Sequence, residues 1–145
     1  DGAYIDYNRI FQDESKENFF YSSDGIYYKN RDDVIKRNAH KRNIIDSLLK
    51  INTVYVSVKY RVFFLSSNIE HVLHNEMNVE DARKTELAMA FEKKYEDRAK
   101  DFISFICDSS FACKKEYNQS WDFIKKNNNS IKRYTNFDIV IKEYI

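Results

Sequence analysis

Residues 48–77 read LLKINTVYVSVKYRVFFLSSNIEHVLHNEM, and they carry two incompatible periodicities. Val54, Val56, Val58, Tyr60, Val62 and Phe64 recur every second residue, the period of a strand with one buried face. Val58, Val62, Leu65, Ile69, Val72, Leu73 and Met77 recur at spacings of three and four, the period of an amphipathic helix. One backbone cannot follow both over the overlap, so the fold turns on where one gives way. Ser57 stands at the crossing, where its hydroxyl could accept an orphan amide at a helix start. The helical spacing also continues past Phe64, where the alternation stops. The pattern predicts a strand over about 46–56 and a helix over about 58–76.

A second helix is predicted over about 79–107. Asn78 can cap it, Glu80 and Asp81 suit the positive end of its dipole, and Leu87, Phe91, Tyr95, Ala99, Phe102 and Ile106 trace one face. On the N-terminal side, Phe19-Phe20-Tyr21 and Ile26-Tyr27-Tyr28 flank Ser22-Ser23-Asp24-Gly25, a hairpin signal in which Gly25 would accept a positive φ. Residues 31–43 are polar and basic and read as a surface turn leading into an edge strand. Residues 120–124 and 137–141 alternate around the turn-prone Asn127-Asn128-Asn129-Ser130, which predicts two further strands. The expected fold is α+β: one domain over 1–145, with an antiparallel β-sheet or sandwich-like core carrying an inserted two-helix hairpin.

Composition narrows the function classes. The 145 residues hold 24 Lys+Arg against 23 Asp+Glu, a formal net charge of +1, so a bulk electrostatic partner such as duplex DNA is disfavoured. Only two glycines and no proline are present, which excludes glycine-rich phosphate loops and G-x-S-x-G nucleophile elbows. The longest apolar run covers residues 87–91, too short to span a bilayer. Aromatic residues reach 16%, and an AT-rich codon bias accounts for the abundance of Lys, Asn, Ile, Tyr and Phe.

Several of these residues resemble a strand-to-helix junction found in uncharacterised exported bacterial envelope proteins, many of them lipid-anchored. The match runs through Thr53-Val54-Tyr55-Val56-Ser57-Val58-Lys59-Tyr60-Arg61-Val62-Phe63-Phe64. It is extended by Arg37-x-Ala39, Asn78-Val79-Glu80-Asp81, Asp101-Phe102-Ile103 and Ser120-Trp121, covering about residues 37–124. The family's pattern is richer in Pro and Trp than this chain. The resemblance implies a helix start at Ser57, a sandwich-like core with a helical insertion, and a place in the cell envelope. A first residue Asp1 rather than Met accords with a removed leader and leaves room for a lipid anchor in a precursor.

Four groups of side chains are candidates for chemistry or contact. His71 and His74, three apart on the predicted helix, could share a divalent metal, although two solvated histidines explain them as well and no third ligand is evident. Cys107 and Cys113 could close a disulfide in an oxidising compartment or remain free thiols. Lys36, Arg37, His40, Lys41 and Arg42 form the one basic patch, without the interleaved aromatics that stack bases. Anionic lipid headgroups could also engage that patch, and codon bias with a charged edge strand accounts for it more cheaply. Tyr4, Tyr7, Tyr21, Tyr27 and Tyr28 could form a contact surface for a protein or glycan, or simply pack across strands. No cofactor is expected. The leading expectation is a non-enzymatic, exported, periplasmic or membrane-anchored domain that binds a partner or gives structural support. The alternatives are a metal-dependent enzyme built on the histidine pair and a cytoplasmic nucleic-acid-binding module using residues 36–42.

Overall fold

A computed structural model describes residues 2–145. In it the segment that carries both periodicities is not helical before Ile69. Thr53–Val54 (β4) and Val58–Lys59 (β5) pair antiparallel around a tip at residues 55–57. The chain then continues without regular secondary structure to Asn68, whose side chain caps a short helix, Ile69–His74 (α2). The helix predicted over 58–76 is thus confined to its last third, and Ser57 lies in the hairpin tip rather than at a helix start. The two-residue alternation does not mark one buried face either, since Val56 and Val58 are exposed, and from residue 60 to residue 64 the segment runs without regular secondary structure. Its backbone groups find partners outside the segment, which a helix would have supplied internally.

Those partners come from the C-terminal third. The Val62 amide donates to the Tyr117 hydroxyl at 3.0 Å, and the Val62 carbonyl accepts from Trp121 Nε1 at 3.1 Å. Two residues on, the Phe64 amide donates to Asn136 Oδ1 at 2.8 Å and its carbonyl accepts from Thr135 Oγ1 at 2.7 Å. The Ser66 amide donates to the Tyr134 carbonyl and the Ser67 amide to that of Ser130. Alternate residues are therefore bonded on one side, as in a strand, but mostly by side chains in place of a neighbouring strand.

The remaining elements differ from the sequence pattern in instructive ways. Residues 31–43 are no edge strand: they lie in an 18-residue helix, Arg31–Leu48 (α1), capped by the Asn30 side chain on the Asp32 amide, with Asp32 and Asp33 in its first turn. This helix also replaces the start of the strand predicted over 46–56. The second predicted helix is divided into Asp81–Tyr95 (α3) and Ala99–Cys107 (α4) by a break at which Asp97 has φ 57°. Its Asn78 cap is displaced: Glu80 occupies that position, while Asn78 binds the Tyr21 backbone through both its oxygen and its amide nitrogen. The C-terminal strands are helices, Tyr117–Ile124 (α5) and Phe137–Tyr144 (α6). In α5 the buried residues are Ser120, Trp121 and Ile124, a spacing that five alternating residues could not reveal.

The fold is mixed α+β. The N-terminal hairpin is present as Phe20–Tyr21 (β2) and Ile26–Tyr28 (β3), antiparallel, and Ile10–Gln12 (β1) adds to β3 in parallel, giving the order β1-β3-β2. Strands of two and three residues are too short to face one another as a sandwich, and helices supply most of the core. Gly25 serves the turn differently from the expectation, because its φ is not positive. A Cβ there would collide with the Arg9 carbonyl oxygen and the Phe11 ring, so glycine is required by the approach of β1. One apolar cluster joins Ile5, Ile10, Ile26 and Val34 to the distant Ile131; a second joins Val72, Ile106, Phe111 and Ile141.

Asn136 is fully buried, and its amide nitrogen donates to Ser120 Oγ while its oxygen accepts from Phe64. Truncation to alanine leaves buried groups unpaired on both sides, so Asn136→Ala should lower the unfolding free energy by about 2–3 kcal/mol in a denaturant titration. A loss below about 0.5 kcal/mol would show that the side chain does not carry the segment.

Candidate functional site

The apolar cleft of the structure, about 550 Å³, lies where the pinned segment passes between α1 and α5. Lys41 and Ile45, four apart, face it from α1, and Trp121 and Ile124, three apart, face it from α5. Residues 62–66 line it between them. Trp121 is held there by its bond to Val62 and by the edge of its ring contact with Phe64, with centroids 5.1 Å apart.

Most polar groups of the walls are already engaged. Tyr4 donates to Asp46 at 2.9 Å, and Asp46 also receives Lys125 at 2.8 Å. Burial first, and then this bond, push the Tyr4 phenol above its ordinary value, while the Lys125 bond holds Asp46 low. Ser66 donates to the Lys132 and Tyr134 carbonyls. Ser130, which also lines the cleft, has a buried hydroxyl without a hydrogen-bond partner. The charged lining consists of Lys41, Lys84 and Glu70, and Lys84 is paired with Asp81 at 2.7 Å. Burial lowers the Lys41 ammonium from its ordinary value. A wider cleft of about 720 Å³ lies beside β2 and the start of α3, but charged and polar residues such as Lys16, Glu17, Asn78 and Asp81 dominate its walls.

The basic patch and the tyrosine group, read separately from the sequence, meet in space. Arg37 stacks over Phe19 at 4.1 Å and donates to the Tyr21 hydroxyl, and Arg42 stacks over Tyr7 at 4.7 Å. Tyr28 meets Phe19 edge-on at 4.5 Å, and Tyr27 binds Asp24 through its hydroxyl. These contacts seat α1 on the N-terminal sheet. Lys36 and His40 point to solvent, and Lys41 alone of the five reaches the cleft.

His71 and His74 have separate surroundings. His71 is buried with Nδ1 2.9 Å from Ser67 Oγ, and the His74 ring meets Phe91 edge-on at 5.6 Å. Among the described residues, no group of three or more His, Cys, Asp or Glu side chains is placed to hold a metal ion. Cys107 and Cys113 are free thiols; burial, the larger cause, and Asp138 push the Cys113 thiol up to about 12. Sequence reasoning missed Trp121 as a cleft residue by assigning it to a strand. The spacing of Trp121 and Ile124 acquires meaning only once the segment is known to be a helix, and nothing in the sequence singled out Ser130. Compared with family models, curated proteins and solved structures, the chain matches none.

Burial, and secondarily the charge of Arg133, hold His71 below its ordinary value of 6.5. An unfolded chain therefore binds a proton here before the folded one does, and stability falls as the pH drops below about 6.5 toward the folded value. The melting temperature should decline over that interval, and His71→Gln should flatten the decline. An identical pH profile in the variant would assign the effect to other groups.

Proposed function

We propose that the protein is a non-enzymatic binding domain of the exported, envelope-associated kind, and that the cleft between α1 and α5 holds a small, largely hydrocarbon ligand. The observation that carries this reading is the character of the cleft. Its volume of about 550 Å³ lies in the range of small-molecule sites, and its walls are chiefly apolar. Ile45, Trp121 and Ile124 suit a hydrocarbon body, while Lys84 is already paired with Asp81 and Lys41 has an interaction of its own within the chain. Since Tyr4, Ser66 and Trp121 already have partners within the chain, a ligand rich in hydroxyls would find few groups to satisfy it. The location is carried by the resemblance of residues 37–124 to exported envelope proteins, although the junction it implies at Ser57 is a hairpin tip in this fold. The nucleic-acid alternative draws little support from a basic patch in which Arg37 and Arg42 are stacked on the protein's own aromatic rings.

Trp121 is the single tryptophan and lines the cleft, so its fluorescence reports occupancy directly. Octanol should change that fluorescence saturably, and Ile45→Asp should weaken its binding by about tenfold or more. Absence of any octanol response at millimolar concentration, or undiminished binding by the variant, contradicts the reading.

A further inference from the structure

The tip of the β4–β5 hairpin is the most exposed apolar feature of the molecule. Tyr55 is 90% exposed and Val56 101%, so Val56 touches essentially nothing of its own chain. Both residues have positive φ, 47° and 72°, and the Ser57 amide closes a tight turn on the Tyr55 carbonyl at 2.9 Å. A β-branched residue in this region is strained, and asparagine and glycine are the residues that relieve such a turn. The chain uses asparagine for that purpose at Asn75, Asn127 and Asn128, but presents an aromatic and an aliphatic residue here.

The charge around the tip is one-sided. From residue 47 to residue 69 the sequence contains Lys50, Lys59 and Arg61 and no acidic residue, in a chain with 23 acids. Two carboxylates approach from outside this stretch: Glu143 pairs with Arg61 and, at 3.7 Å, with Lys59, and Asp46 lies close enough to Lys50 to feel its charge. Lys59 lies opposite Thr53 in the hairpin register. At about 3.3 Å per residue, the tip stands roughly 7–10 Å beyond that lysine. An apolar wedge of that length with cations at its base matches the depth at which interfacial segments enter the boundary of a bilayer.

We infer that this hairpin is a membrane-surface anchor, with Tyr55 and Val56 entering the lipid interface and Lys50 and Lys59 facing anionic headgroups. A protein partner is the less fitting occupant. A convex tip of two side chains offers far less than the roughly 800 Å² per partner of a stable protein interface, whereas a bilayer accepts a narrow wedge. Tyrosine is also suited to the interface, since its ring is apolar and its hydroxyl can remain hydrated. The inference is independent of what the cleft holds.

The test uses the full chain with vesicles of phosphatidylglycerol and phosphatidylcholine, and of phosphatidylcholine alone. Wild type should co-sediment with the anionic vesicles and much less with the neutral ones, and Val56→Trp should blue-shift on adding the anionic vesicles. The double variant Tyr55→Asn, Val56→Gly relieves the turn and removes the wedge, so it should melt higher than wild type and partition about tenfold or more weakly. That combination separates a role at the membrane from a role in folding. Failure of wild type to bind anionic vesicles, the outcome expected of a tip that enters a protein's pocket, overturns the inference. Undiminished binding by the double variant does so as well.

Discussion

Backbone amides and carbonyls away from bulk water must be paired, and in place of a neighbouring strand residues 62–66 have a single antiparallel bridge, between Leu65 and Thr135. The chain meets that demand with side chains from far away in sequence. Tyr117 and Trp121 serve Val62, and Asn136 and Thr135 serve Phe64. Thr135 and Asn136 are fully buried, and the Thr135 backbone also bonds to Phe111 and Cys113. The same few residues therefore join the middle of the chain to α5, to the turn after α4 and to the start of α6. The cleft follows from this arrangement, because the indole bonded to Val62 is also one of its walls.

How far the sequence revealed this depends on the length and purity of each pattern. The hairpin of β2 and β3 was legible because aromatic strands flank a short polar turn. The apolar face of residues 87–106 was legible too, and its members Phe91, Tyr95 and Phe102 do pack together across the break at Asp97. By contrast, α1 was hidden by its polarity. Its fully buried positions are Val34 and Asn38, and the asparagine is satisfied by the Gly2 carbonyl and the Arg37 side chain instead of by apolar neighbours. The Asn30 cap followed by Asp32 and Asp33 was the clue to it. The short C-terminal helices were misread because alternation over five residues also fits a helix with contacts three apart. In the central segment two periods overlapped, and no local rule could show that residues 117–136 would satisfy its backbone.

The candidate site was legible only in fragments. Lys41 was seen as part of a basic patch and Tyr4 as part of an aromatic group, yet their common cleft depends on a helix that looked like an edge strand. The scarcity of glycine proved informative in a different way. Positive-φ positions fall mostly to Asn75, Asp97, Asn127 and Asn128, residues that tolerate that conformation, with Ser67 and Lys114 beside them; among the described residues Val56 is the β-branched exception. Strain retained at an exposed position, where substitution is otherwise easy, points to a use for that side chain.

Residue-resolved hydrogen exchange tests the central claim most directly. If the C-terminal third binds the backbone of the central segment, through side chains at Val62 and Phe64 and through the Tyr134 carbonyl at Ser66, these three amides should be protected to the same degree as those in the buried part of α4. Exchange of these three amides as fast as that of the hairpin tip would contradict the account.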